Sequence, residues 1–181
     1  QSESIYIDKL SGVFNRRYLN DYLLSLNENE KEKEKGKTIT GIMLDMDKFK
    51  AINDNFGHSV GDDAISQVGN ILRENLGKIN FATRYGGDEF LLLFYQDDKI
   101  ALEETAKQIY REIEEADGFE EEISQKLGEK VSIANAKRIS CSIGITIATD
   151  IQSEKDMNKM IKQADELLYS IKTSTKGTYK I

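Results

Sequence analysis

Three groups of residues in this 181-residue chain have the types and spacing to do chemistry. Asp45-Met46-Asp47 closes a short apolar run over 39–44. Gly86-Gly87-Asp88-Glu89 separates two apolar or aromatic runs, 81–85 and 90–95, and Asn53, His58 and Asp62 lie around Gly57 and Gly61. Mg²⁺ prefers oxygen ligands and commonly takes one or two carboxylates plus substrate phosphates. Neighbouring strands lie about 4.8 Å apart. If the strand ending in Asp45 lies beside a hairpin strand, Asp45 and the Asp88-Glu89 pair share a metal. Such a cluster suits a nucleoside triphosphate better than an all-protein calcium cage, and the turn glycines let backbone approach a ligand without a Cβ clash.

Each feature alone has an ordinary explanation. Asp-x-Asp after a strand is commonly a cap and turn. Gly-Gly-Asp-Glu between apolar runs is a hairpin turn. His58 reads as a surface or cap residue, Arg84 as a solvated strand side chain, and Lys172 and Lys176 as complements to a helix dipole. The joint occurrence, in this order, gives them weight.

The elements that must position these groups follow from periodicity. Residues 8–12 read as a turn, and Asn15 as the cap of a helix bearing Tyr18, Leu19, Tyr22, Leu23 and Leu26. The Glu/Lys segment 27–37 has no apolar anchors and reads as solvated. The run 39–44 reads as a buried strand ending in Asp45, followed by a helical segment through Phe49, Ile52 and Phe56. A second helix is expected from near Asp62, with Ala64, Ile65, Val68, Ile71, Leu72 and Leu76 on one face. A hairpin with a tight glycine turn comes next, then an amphipathic helix over 100–113 and an acidic, irregular stretch over 114–130. Alternation of Ile139, Cys141, Ile143, Ile145 and Ile147 marks a strand. A last helix carries Met157, Met160, Ile161, Ala164, Leu167, Leu168 and Ile171, and 178–181 reads as a closing edge strand. Hairpin strands among helical crossovers predict an α/β (α+β) sandwich: a mixed, largely antiparallel sheet of about five strands flanked by helices, in a split βαβ arrangement.

Composition sets limits on function. Hydrophobic residues make up 39% and charged residues 31%, the balance of one soluble domain over 1–181, and no apolar run reaches membrane-spanning length. The net charge of −7 argues against nucleic acid as a partner. Cys141 is the only cysteine, which suits the cytoplasm. Gln1 in place of Met points to a piece of a longer protein with an upstream module.

The chain resembles the GGDEF family of bacterial diguanylate cyclases. The likeness runs through residues 8–17, Asp45-Met46-Asp47-Lys48-Phe49-Lys50, Asn53-Asp54, Gly57-His58-Ser59-Val60-Gly61-Asp62, Arg84 with Tyr85 and the motif through Phe90, Ser142-Ile143-Gly144, and Ala164-Asp165 with Leu168-Tyr169 and Lys172. Only 27–37 and 114–137 look variable. The resemblance implies a palm-like nucleotidyl-cyclase fold and condensation of two GTP into cyclic di-GMP. A 3′-hydroxyl attacks an α-phosphate across an antiparallel homodimer and pyrophosphate leaves. It implies two Mg²⁺ (or Mn²⁺) ions held by Asp45, the Met46 carbonyl, Asp88 and Glu89, with Asp88, Glu89 and Lys50 serving catalysis. Phe49, His58, Gly86, Gly87, Lys172 and Lys176 match substrate-binding positions. Asn53 and Asp62 match the guanine readers, and an ionised Asp accepting from guanine N1–H and the 2-amino group fits that role. An upstream sensory domain is a further expectation.

Two departures stand out. Many family members carry Arg-x-x-Asp at an inhibitory product site, where this chain has Gly77-Lys78-Ile79-Asn80, so strong product inhibition through that site is not expected. Ser11 replaces the commoner Thr. The alternative function is a catalytically inactive, GTP-binding regulatory domain. An EF-hand does not fit the spacing, and a nucleic-acid polymerase palm does not fit the charge.

Overall fold

The computed structural model describes residues 5–26, 38–76, 81–95, 98–116, 118–133, 138–174 and 179–180. Its centre is β1 (Thr38–Asp47), the middle of a five-stranded sheet in the order β2-β3-β1-β4-β5. β2 (Phe81–Arg84) and β3 (Glu89–Tyr95) form the hairpin, and β3 runs antiparallel to β1. On the other side β1 pairs antiparallel with β4 (Ser140–Thr149), which pairs parallel with β5 (Tyr179–Lys180). The mixed, largely antiparallel α+β sandwich matches the expectation from the sequence.

Side chains alternate across a strand, so β1 feeds two cores. Ile42, Leu44 and Met46 pack with α3 (His58–Glu74), α4 (Lys99–Glu114) and α5 (Gly118–Leu127). Ile39 and Met43 pack with α1 (Arg16–Leu24) and α6 (Glu154–Ser174) on the opposite face. Because both faces are covered, β1 reads as a continuous apolar run until its last residues. Asp45 and Asp47 fall on the α6 face, and both are buried. α6 lies tight on β4 because Gly144 has no side chain: a Cβ there would stand 2.4 Å from the Ala164 carbonyl oxygen.

Several boundaries differ from the sequence reading. β1 includes Asp45 and runs on to Asp47, because antiparallel pairing with β4 continues to Ser140. α2 (Phe49–Phe56) follows, and α3 starts at His58 rather than near Asp62. Gly57, at φ 90°, turns the whole corner in one residue, which leaves Gly61 inside the helix. The hairpin turn spans 85–88, one residue earlier than the 86–89 expected, because Glu89 already pairs with Asp45 as the first residue of β3. The stretch read as irregular contains α5, whose Phe119 and Ile123 supply a buried i, i+4 pair within an acidic surface. α1 ends at Leu24, two residues before Leu26, which is buried nonetheless. The segment 27–37, Gly77, Asn80 and Lys176 lie outside the described residues.

Candidate active site

Strand register assembles the acidic cluster. Asp45 is directly opposite Glu89 in the β1–β3 pair, so both side chains emerge on one face. Asp88 lies one residue earlier in the turn, and its carbonyl accepts from the Met46 N–H at 3.0 Å. A strand residue directs its N–H and C=O to the same side, so the Met46 carbonyl also faces the turn. Carboxylate oxygens of Asp45, Asp88 and Glu89 all lie within 4.8 Å of one another. Ligands on opposite sides of a Mg²⁺ ion are about 4.2 Å apart, so small side-chain rotations would bring all three onto one ion. Oxygen donors alone, from three acids and a carbonyl, fit a hard divalent cation.

Lys172 supplies positive charge here. Its Nζ is 2.9 Å from Asp45 Oδ2, with the Asp45 side chain only 4% exposed. Burial pushes the Asp45 carboxyl up to about 6; Lys172 opposes that shift, and Asp88 and Glu89 reinforce it. Glu89 is raised by burial, then by Asp165 and Asp88, against Lys172 and Arg16. Lys172 feels burial pulling it down, but the hydrogen bond and charge of Asp45, with Asp88 and Glu89, leave it raised. The site therefore concentrates negative charge that the Lys172 ammonium and the Arg16 guanidinium only partly balance.

The turn is anchored from the N-terminal segment. Arg84 Nε and Nη2 both donate to the Gly87 carbonyl, at 3.1 and 2.8 Å. Its Nη1 is 3.3 Å from Asp8 Oδ1, and Asp8 Oδ2 accepts from Ser11 N and Oγ. Arg16 donates to the Tyr85 carbonyl at 3.0 Å, and its guanidinium lies over the Tyr85 ring. Arg84 is thus a half-buried clamp on the turn rather than a solvated side chain. Ser11 orients Asp8 through its N–H and hydroxyl, so a hydroxyl at 11 suffices there. Asp47 is held by Ser142 Oγ at 2.8 Å. Asp8, Arg16, Asp165 and this Asp47–Ser142 pair were not singled out as working residues from sequence.

Other candidate residues are distributed around the cluster. Gly86 faces Glu89, while a Cβ at the exposed Gly87 would meet nothing within 4 Å, leaving open space against the turn. Neither has a left-handed backbone, so space rather than turn geometry is the use of these glycines. Phe49 opens α2 directly after β1. The N-cap residue of this helix, Lys48, makes no side-chain cap hydrogen bond, and its first turn carries no acid, an electrostatic setting that suits an anion. Asn53, on α2, packs against Gly61 of α3, next to Asp62, and His58 is exposed at the start of α3. Lys50 is not brought into the cluster: its Nζ lies 3.1 Å from Asp54, and both side chains are exposed.

A central, largely antiparallel sheet with three clustered carboxylates at a strand end is an arrangement that could hold a divalent metal ion. The chain belongs to the GGDEF family, since the family model for "Diguanylate cyclase, GGDEF domain" matches residues 5–178. It is 30% identical over 172 residues to diguanylate cyclase VdcA of Vibrio cholerae, covering 95% of this chain and 45% of VdcA. It is 29% identical over 166 residues to diguanylate cyclase DosC of Escherichia coli, covering 92% of this chain and 33% of DosC. The chain therefore spans only a third to under half of these relatives. Among solved structures, the GGDEF domain of DgcB from Caulobacter crescentus, in complex with c-di-GMP, shares the fold at TM-score 0.73 and 24% identity. That likeness covers 97% of this chain and 94% of DgcB's. Among the described residues, no helix is long and apolar enough to cross a membrane.

Proposed function

We propose that residues 1–181 are one catalytic domain that condenses two GTP molecules into cyclic di-GMP. The observation that carries this reading is the convergence of Asp45, Asp88 and Glu89 close to the start of α2. Two Mg²⁺ or Mn²⁺ ions, when bound, would activate the attacking 3′-hydroxyl and stabilise the leaving oxygens of an in-line displacement. Asp45, Asp88 and Glu89, with the Met46 carbonyl, are the groups to hold them. The first N–H groups of α2 bind phosphate oxygens, and the open face of Gly87 admits the nucleotide against the turn. Lys172, paired with Asp45 in the free protein, turns to the triphosphate as the acids take up metal. Lys50 and Lys176 add positive charge around it, and Asn53 and Asp62, flanked by His58 and Phe49, read guanine.

One domain holds one GTP, so reaction needs two copies facing each other about a two-fold axis. Specific activity should then fall on dilution, and activity independent of concentration would rule the dimer out. We further propose a cytoplasmic domain under an upstream sensory module.

The test is incubation with GTP and Mg²⁺ and chromatographic detection of cyclic di-GMP, with Asp88→Ala as control. Product from the wild type and none from the variant supports the reading. Equal product from both, or none from either with GTP still bound, overturns it, the latter in favour of a regulatory GTP-binding domain.

A further inference from the structure

Gly61 lies buried in the first turns of α3 with an ordinary helical backbone. Glycine inside a helix is destabilising relative to alanine, so its presence there asks for a reason in space. A Cβ built on Gly61 would stand 1.7 Å from Asn53 Oδ1 and 2.8 Å from Asn53 Cγ. The Asn53 side chain thus fills the place that any residue with a Cβ would occupy. Its Oδ1 is buried with no hydrogen-bond partner among the described residues. No polar contact fixes that oxygen, which leaves packing on the bare Cα of Gly61 to locate it.

Gly69, further along the same helix, marks the contrast. A Cβ there would meet the Ser11 carbonyl oxygen at 2.1 Å, a clash of main chain that would move the fold. At Gly61 the obstacle is the free end of a side chain, which can be pushed aside while the backbone stays. The substitution that breaks packing at 69 would merely re-aim an amide at 61.

We infer that Gly61 is a positioning residue for base selection: the absence of a side chain at 61 holds the Asn53 amide beside Asp62 and so sets the preference for guanine over adenine. This rests on the nucleotide reading of Asn53 and Asp62. A site that discriminates by paired hydrogen bonds loses discrimination when one partner is displaced, even though the pocket remains. If α3 shifted instead of the amide, Asp62, the next residue, would move with it, and the pair would be spoiled by the same substitution.

The test compares the wild type, Gly61→Ala, Asn53→Ala and the double variant. Binding of non-hydrolysable GTP and ATP analogues is measured by calorimetry in Mg²⁺, with circular dichroism and Tm as folding controls. The expected result is that Gly61→Ala lowers the preference for the GTP analogue about tenfold, through weaker GTP binding at unchanged affinity for the ATP analogue. Asn53→Ala should lose as much, and the double variant no more than Asn53→Ala alone, because both act through one amide. With the amide gone the methyl group has room, so Gly61→Ala should raise Tm in the Asn53→Ala background. Retained preference in a folded Gly61→Ala protein overturns the inference, as does an additive loss in the double variant. Should Gly61→Ala alone fail to fold, the double variant decides: folded, it supports the packing argument; unfolded, it overturns it. A wild type that binds both analogues equally overturns the nucleotide reading itself, a result distinguishable from preference retained by the variant.

Discussion

The acidic cluster and the α2–α3 corner are separated by one short helix, yet they are built by different physics. Asp45, Asp88, Glu89 and Lys172 come from β1, the hairpin turn, β3 and α6, and meet only because the β1–β3 register and the close seat of α6 on Gly144 bring them together. Asn53, Gly61 and Asp62 are neighbours in sequence, arranged by a single left-handed residue, Gly57, and by packing. The first region is under electrostatic tension, with like charges gathered in a half-buried place. The second has little charge to balance, and its one buried orphan oxygen is located by shape. Substitutions should therefore separate chemistry from choice of base.

The largest effect expected is from Asp45→Asn. Product formation should fall by about 10²–10³-fold, since a carboxylate that would hold the metal ions at the reacting phosphates is replaced by a neutral amide. In the absence of metal the variant should be as stable as the wild type or more so, because like charges directly opposite on a sheet cost about 0.2–1 kcal/mol. Asn53→Ala should leave the chemistry in place and relax the base preference. Product assays with GTP alone and with added ATP, alongside Tm, separate the two. An active Asp45→Asn protein would break the comparison at its root.

Metal binding sharpens the same contrast. The Asp45 carboxyl is raised from an ordinary 3.8 to about 6. A carboxyl raised in the folded state contributes stability at low pH that is lost as pH rises through about 6. The metal-free protein should accordingly lose stability across that window. Mg²⁺ should reverse the trend, since below about pH 6 a proton competes for Asp45 and apparent affinity should fall towards tenfold per pH unit. Tm with and without Mg²⁺, from about pH 5 to about 8, reads this directly, and a saturating ion at 100 times its Kd adds about 2.7 kcal/mol. Asn53→Ala should keep the Mg²⁺ shift and Asp45→Asn should lose it.

The clamp on the turn should matter less than the acids themselves. Arg84→Ala removes two charge-assisted hydrogen bonds to the Gly87 carbonyl and the pairing with Asp8. A loss of about 1.5–3 kcal/mol is expected for hydrogen bonds to a charged, half-buried group. Activity should fall about tenfold, because Asp88 and Glu89 are then held less firmly against Asp45. Chemical denaturation and product assays check both. A variant that loses stability but keeps full activity would mean that the acids find their geometry without the clamp.

The sheet and the acidic cluster were legible in the sequence because each has a signal that survives tertiary context. Alternation marked β4, an apolar run ending in Asp45 marked β1, and the glycines between two aromatic runs marked the hairpin. The corner was harder. Two glycines four residues apart, Gly57 and Gly61, look alike in sequence, but one turns the chain at φ 90° while the other sits within α3 to admit a side chain. Helix α5 was hidden because only Phe119, Ile123 and Leu127 are large apolar residues in it, among charged and small polar ones. The Asp8–Arg84 clamp joins residues distant in the chain, and no local pattern reports a long-range pair.

Lys50 belongs to neither region in the free protein, and the smallest effect is expected there. Its side chain is 91% exposed, and its partner Asp54 is one helical turn away. Exposed pairs at this spacing are worth about 0.3–0.5 kcal/mol, so Lys50→Ala should leave Tm nearly unchanged. The resemblance implies a catalytic role for Lys50 at a basic position around the triphosphate, and an exposed lysine can swing to a phosphate once it is bound. A solvated contact of about 0.2–1 kcal/mol corresponds to a rise in KM for GTP of roughly 1.4- to fivefold, with kcat little altered and the effect shrinking at high salt. Steady-state assays at two ionic strengths measure it. A hundredfold loss in kcat would instead mean that Lys50 leaves Asp54 and joins the acids during reaction, and the boundary between the two regions would have to be redrawn to include the start of α2.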